Sequence, residues 1–551
     1  MTSSAATNTA PGAYLYPRRA DVGVRPLIEA SQAFPAIEEL ALAARSDLCF
    51  GFRIFDPRTR LRSAQSAALN LETWSDLIAY KTANGTSVRL LLTDFEPVVA
   101  HELHKRTWAA MDGFARAVAE AGDTDRFQAM AALHEGEFGW LVRLGLWPFL
   151  KARAEKIASG SGQAGRVGFQ SWRLFRDRGG QPGRTLGGPP RMWPATYHQK
   201  FVVADGAHAI VGGLDLDERR YDDPDHTRPA GQTWHDVSLS VSGDVAEDVR
   251  DHFNTCWNFE VPRFNARMTR MGAHAQDMAT PVKPAVPAPR TDAQATVQSP
   301  CLRLIRTSSM RSRSWLSIGP RPDITEIETA HLEQIGNARD CLYLESQFLR
   351  SRRLTDALVT AGRAQPGLHL IVLLPAATDE VVFNGERGLS VRHGEWLQVR
   401  AIDRIRAAYG ERCGFFSLTR GTPGTETGER DAVEGQEIAY VHAKVAIADG
   451  ETALVSSANL NGRSLRWDRE AGLLWENAAG VTEFQRTLWQ QHLRREYQEE
   501  LTVTRASALQ MWRAAADRGP DGEGSAQVVA YPLEKARKFA RYWPIVPHDM
   551  V

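Results

Sequence analysis

One short motif occurs twice in this chain, and its repetition constrains the fold more than any other feature of the 551 residues. His198-Gln199-Lys200 is followed after four residues by Asp205, and His442-Ala443-Lys444 after four residues by Asp449. Seven residues beyond each aspartate come small residues and then a polar one: Gly212-Gly213-Leu214-Asp215 in the first copy, Ser456-Ser457-Ala458-Asn459 in the second. The residues between each His-x-Lys and its Asp are small or apolar, Phe201-Val202-Val203-Ala204 and Val445-Ala446-Ile447-Ala448. Each run predicts a short buried strand. Residues two apart share a face of a strand, so each His stands beside its Lys.

A neutral imidazole beside an ammonium suits an anionic substrate: Lys holds the charge, and His attacks or transfers a proton. Phosphate fits best. Gly213 and Ser457 would bring backbone and hydroxyl groups close to phosphate oxygens, and Asp215 and Asn459 sit where a second polar group completes the pocket. A single His-x-Lys pair on a strand is an ordinary surface occurrence. Two copies that share their spacing to Asp and on to the small-residue turn read as two matched half-sites.

The duplicated pattern resembles the phospholipase D superfamily. Tyr343-Leu344-Glu345-Ser346-Gln347-Phe348 is similar to that family's strand before the second half-site, Trp234-His235-Asp236 to the segment after the first, and residues 488–493 to its C-terminal helix. The resemblance runs from about residue 34 to residue 497. It implies an α/β fold of two pseudo-two-fold-related α/β/α lobes with mostly parallel sheets, whose half-sites form one active site. His198, Lys200, Asp205, His442, Lys444 and Asp449 are then the catalytic motif residues, with the two aspartates as strand-end supports rather than proton carriers. Asn459, Ser457, Gly213 and Asp215 are the phosphate-binding candidates. Asp236 and Glu470 are implied as carboxylates that hydrogen-bond the ring nitrogen of a catalytic His facing away from substrate. The resemblance also makes His198 the nucleophile; the symmetry of the sequence does not distinguish the two histidines.

Patterning along the chain agrees with a duplication. A helix over 36–44, a strand over 47–55, a helix over 71–83 and a strand over 87–92 are followed, in the second half, by a helix over 327–338, a strand over 341–348, a helix over 354–361 and a strand over 368–374. Such alternation predicts α/β layers. The organisation expected is an N-terminal extension (1–33), a first lobe (34–265, with its motif over 192–219 and a helical insertion over about 96–190), a linker (266–300), a second lobe (301–500, motif over 436–463) and a C-terminal extension (501–551). Within the insertion, residues 101–120 and 126–157 read as helices. Trp140 and Trp147 are expected to fill the core there, although tryptophan at a polar boundary also marks membrane interfaces.

Other chemistries find little support. The stretch ending Gly160-Ser161-Gly162-Gln163-Ala164-Gly165 matches a dinucleotide-binding glycine pattern but follows a helix, not a strand. His101-Glu102-Leu103-His104 has the wrong spacing for a zinc helix, and its histidines are expected on an exposed face. The five cysteines are odd in number and unpaired in pattern, so they are expected as small buried hydrophobes. Lys plus Arg and Asp plus Glu both total 66, so no overall field selects nucleic acid. No signal peptide and no membrane-length apolar run is evident.

The expectation is therefore a phospholipase D-type phosphodiesterase that hydrolyses phospholipid headgroups to phosphatidic acid through a phosphohistidine, with transfer to an alcohol as a variant outcome. No metal and no cofactor is implied. The expected partner is phospholipid at a membrane surface, met by a soluble, monomeric, cytoplasmic or peripheral protein; secretion without a recognisable signal is the alternative. A nuclease or other phosphodiesterase of the superfamily, or a cardiolipin-type phosphatidyl transferase, is the alternative function, with nucleic acid the less favoured partner. Outside enzymes, the alternative is a lipid-binding scaffold.

Overall fold

The computed structural model describes residues 16–160, 175–184, 191–271, 281–286, 301–499, 505–519, 527–543 and 548–550, apart from short gaps at 22, 123, 179–180, 230, 315–316, 384, 425–429 and 431. Most of the expected linker and the glycine pattern over 160–165 lie outside the described residues.

In the first half, strand β1 (Arg25–Ile28) leads into helix α1 (Ala30–Ala43), β2 (Asp47–Phe52), α2 (Trp74–Ala83), β3 (Ser87–Thr93), α3 (His101–Ala121), β4 (Phe127–Ala132) and α4 (Trp140–Gly160). The motif follows as β5 (Phe201–Ala204) and β6 (His208–Gly212), then come β7 (Trp234–His235), β8 (Val237–Ser242) and α5 (Asp244–Met271). The sheet order is β1-β8-β6-β5-β2-β3-β4, parallel through β2, β3 and β4 and antiparallel elsewhere.

The second half repeats it. β9 (Cys301–Met310), α6 (Glu326–Asn337), β10 (Cys341–Glu345), α7 (Arg352–Ala364), β11 (His369–Leu373), α8 (Leu389–Tyr409) and β12 (Cys413–Pro423) precede the motif strands β13 (Gln436–Val441), β14 (Val445–Ala448) and β15 (Thr452–Ser456), with β16 (Glu470–Glu476) and α9 (Ala478–Leu493) behind them. Their order, β9-β16-β15-β14-β10-β11-β12-β13, matches the first sheet strand for strand from β1 to β4. The parallel strands come from helix crossovers, as βαβ connections demand, and the motif hairpins turn the chain back antiparallel. Residues of both sheets, among them Val203, Val211 and Leu239 from one and Val455 and Leu473 from the other, belong to one buried apolar cluster, so the halves share a core.

The spacing to aspartate shared by the two copies has a local cause. Asp205-Gly206 and Asp449-Gly450 close the β5–β6 and β14–β15 hairpins, and all four residues have positive φ, between 54° and 69°. Asp and Gly tolerate that left-handed backbone, which matches the twist of a tight hairpin.

Three expectations are corrected. Residues 126–157 are not one helix: Phe127–Ala132 form β4, because the Ala-rich segment docks beside β3 (Val88 opposite Phe127) and pairing overrides its helical preference. His104 is not on an exposed face but fully buried, bonded to Asp94 at 2.6 Å. Trp140 does not fill the core; it is 43% exposed. The five cysteines are all buried and none is in a disulfide.

Candidate active site

Two short pairings between the halves build the site. β7 of the first half joins the second sheet beside β13, with Trp234 opposite Tyr440 and His235 opposite Val441, and the backbone N–H of His442 donates to the carbonyl of His235 at 2.8 Å. Reciprocally, Tyr197 bridges Arg469, and the N–H of His198 donates to the carbonyl of Arg469 at 2.8 Å. Each histidine is therefore clamped to the strand start of the other half.

This clamp crosses the supporting carboxylates. Nδ1 of His442 lies 2.6 Å from Oδ2 of Asp236, and Nδ1 of His198 lies 3.0 Å from Oε2 of Glu470. With Nδ1 engaged, Nε2 is the ring nitrogen left for chemistry in each. Both histidines are buried, and Nδ1 of His198 also lies 3.2 Å from the carbonyl of Ser457, in the second half's own motif.

The other predicted residues divide into groups. Lys200 and Lys444 are buried, and each ammonium donates to its own histidine's carbonyl. Asp215 accepts from the N–H of Ile54 at 2.9 Å and stands 3.7 Å from the Lys200 ammonium, the place of a counter-ion. Asn459, its equivalent, donates to Gln347 at 3.2 Å and has no partner for its buried Oδ1. Gly213 and Ser457 back the two carboxylates: a Cβ on Gly213 would stand 2.1 Å from Oδ1 of Asp236, and the Ser457 hydroxyl donates to Glu470 at 2.6 Å. Asp205 and Asp449 are not brought to the histidines. Asp205 accepts from the N–H groups of Arg45, Ser46 and Asp47, and Asp449 from those of Arg339, Asp340 and Cys341, all at 2.8–2.9 Å. They tie the hairpins to the entry of β2 and β10.

Burial pushes both histidines, both lysines and the two supporting carboxyls toward their neutral forms. Both imidazoles are held well below the usual histidine range, by burial first, then by Lys200 and Arg53 at His198 and by Lys444 and Arg220 at His442. Burial likewise lowers both lysines and raises the carboxyls of Asp236 and Glu470.

Arg220, Arg53 and Glu29 carry no signal in the sequence. The Arg220 guanidinium lies 3.6 Å from the centroid of the Trp234 ring, which stands edge-on to His442 at 5.5 Å. Arg53, just past β2, faces Phe95 at 5.4 Å. Behind β7, His235 sits between Glu29 at 2.5 Å and Glu345 at 2.9 Å, and His492 meets Glu345 at 3.0 Å. The ligand atoms of His235, Glu345 and His492 lie within 4.8 Å of one another, a grouping able to hold a metal ion. Burial disfavours charge on His235, but Glu29 and Glu345 outweigh it and raise the ring well above its usual range. The contacts of this cluster tie β7 of the first half to β10 of the second, and β10 to α9.

Comparisons with known proteins point the same way. Residues 331–492 match a family model described as "Cardiolipin synthase, PLD-like domain". Phospholipase D1 of Schizosaccharomyces pombe is 26% identical over 351 residues, covering 50% of this chain and 24% of the relative; human phospholipase D1 is 25% identical over 312 residues, covering 52% and 27%. The chain thus spans only about a quarter of these relatives' length. Among solved structures, a phosphatidylserine synthase from Haemophilus influenzae shares the fold with a TM-score of 0.52, at 12% identity over 91% of this chain and 95% of that one. The duplicated motifs, the matched domain and these relatives together support the phospholipase D superfamily for this chain.

Proposed function

We propose that this protein is a phospholipase D-type phosphodiesterase that cleaves phospholipid headgroups by two displacements at phosphorus. The supporting observation is the crossed pair of histidine–carboxylate contacts, which leaves Nε2 of both rings free in one buried, lysine-flanked centre.

A bound diester brings its own negative charge between the two lysines. It offsets the two ammonium groups that depress the imidazoles, so His442 takes up a proton while His198 stays neutral. Nε2 of His198 then attacks phosphorus, forming a P–N bond as the P–O bond to the headgroup alcohol breaks; His442 gives its proton to the departing oxygen. In the second step neutral His442 takes a proton from water, whose oxygen attacks phosphorus and breaks the P–N bond, releasing phosphatidate. An alcohol in place of water gives transfer. Lys200, Lys444 and Asn459 neutralise charge on the equatorial oxygens, while Asp236 and Glu470 fix the tautomers and stabilise each imidazolium.

The test incubates purified protein with phosphatidylcholine vesicles plus ethanol and, in parallel, with single- and double-stranded DNA. Phosphatidic acid and phosphatidylethanol formed only with intact His198 and His442 support the reading. DNA cleavage without lipid turnover overturns it in favour of a nuclease, and vesicle binding with neither activity overturns it in favour of a scaffold.

A further inference from the structure

Helix α4 is apolar on opposite sides. Leu150 and Ala154 are buried against Phe138, Met192, Ala195 and Trp467, with Val142 and Leu146 packed beside them. The other side presents Trp140, Leu141, Leu144 and Phe149, exposed by 43%, 45%, 39% and 53%. Large apolar side chains gathered on the outer side of a helix ordinarily meet another surface. Two further exposed residues adjoin it: Val99, whose carbonyl accepts from Arg153 at 3.0 Å, and Ile318, whose carbonyl accepts from the N–H of Gly139 at 3.2 Å. Together these are six of the ten large apolar side chains exposed among the described residues, so the patch is a concentration and not the scatter found on any surface.

Charge indicates what covers it. Lys151, Arg153, Arg311 and Arg313 are exposed around the patch. The acid beneath, Glu137, is buried under Arg191 and Arg311, whose side chains are 47% and 61% exposed. The outward surface is therefore aromatic and aliphatic with a cationic rim, on a chain whose net charge is zero. Tryptophan and phenylalanine flanked by lysine and arginine are the side chains that settle at the boundary of an anionic lipid layer.

Position connects the patch to the site. β2, β3 and β4 run parallel, and α4 springs from the end of β4, the edge at which β5 begins just after His198. Phe138, at the foot of α4, packs edge-on against Trp467, three residues before Glu470.

We infer that the outward face of α4, with Val99 and Ile318, is an interfacial surface that seats the protein on an anionic lipid layer with the catalytic edge of the first sheet turned toward it. This deepens the phospholipid reading and rests on it for its meaning, but its test is one of binding. Flotation of the full chain with phosphatidylcholine vesicles, with and without phosphatidylglycerol, is compared for wild type, the Trp140→Ser/Phe149→Ser double variant and the Arg311→Gln/Arg313→Gln double variant. Turnover of soluble bis(4-nitrophenyl) phosphate reports an intact centre. Wild type binds the anionic vesicles, the aromatic double variant binds about tenfold more weakly or worse with soluble turnover unchanged, and the arginine variant loses the preference for phosphatidylglycerol. Equal vesicle binding by all three overturns the inference. So does a concentration-dependent dimer of wild type that the aromatic substitutions dissociate, which makes a second copy the partner. Vesicle binding as stated, without phospholipid turnover, upholds this surface and sinks only the proposed reaction.

Discussion

The carboxylate of Asp236 lies 2.6 Å from Nδ1 of His442, although 206 residues separate them, and Asp236 follows the other histidine's motif. Glu470 returns the arrangement to His198 at 3.0 Å. Neither half pairs its own motif histidine with a carboxylate of the same half, so the proposed chemistry requires the two halves to be docked.

Asp236→Asn and Glu470→Gln are each expected to lower turnover about a hundredfold or more while leaving the fold intact, because the tautomer and the imidazolium lose their support. The two should separate by leaving group. In the first displacement, the effect of Asp236→Asn, acting through the general acid, is largely relieved when an alkoxide is replaced by 4-nitrophenolate, whereas that of Glu470→Gln, acting through the nucleophile, is not. Burst rates of leaving-group release on the two ester types check this.

Gly213→Ala tests steric support. The added Cβ would stand 2.1 Å from Oδ1 of Asp236, so the carboxylate must move and His442 loses its partner. Activity is expected to fall as far as in Asp236→Asn. Ser457→Ala instead leaves Glu470 short of a hydrogen bond, costing about 1–3 kcal/mol of stability with a smaller loss of rate. Denaturant melts alongside kinetics separate the two.

Much of this was legible in the sequence. The motif strands and the hairpin aspartates were readable because each half-site is a contiguous stretch in which spacing maps directly onto strand faces. The crossing of Asp236 and Glu470 was not, because it depends on the short pairings at Trp234–His235 and at Tyr197 with Arg469, between segments far apart in the chain. β4 was hidden by helix-forming residues. Arg53, Arg220 and Glu29 stand outside any motif, and single charged residues carry no pattern from which a partner can be read.

Asp205 predicts a pH effect on stability. Burial raises its pKa, but the Ser46 hydroxyl and three backbone N–H groups outweigh it and bring the carboxyl from 3.8 to about 2. A folded-state pKa below the unfolded one stabilises the fold fully above the unfolded value, so this contribution is present above about pH 4 and lost as pH falls toward 2. Asp205→Ala is expected to lower the melting temperature at neutral pH, with the difference from wild type shrinking through that acid window and turnover per folded molecule little changed. Thermal melts across pH check it.

Arg220 depresses the pKa of His442. Arg220→Gln is expected to raise that pKa, moving the pH optimum of kcat/KM upward, and to weaken anionic substrate binding with about a tenfold fall in kcat/KM. A pH–rate profile with an unmoved optimum would count against Arg220 acting on His442.

The central claim is that both histidines face one phosphorus atom, and trapping the intermediate tests it most directly. Rapid quenching of the His442→Asn variant with a phosphodiester labelled at phosphorus and carrying a 4-nitrophenolate leaving group, followed by peptide mapping, should place one acid-labile phosphoryl group per chain on His198, accumulating because water is no longer activated. Label on another residue, or none while the diester is still turned over, would contradict the account.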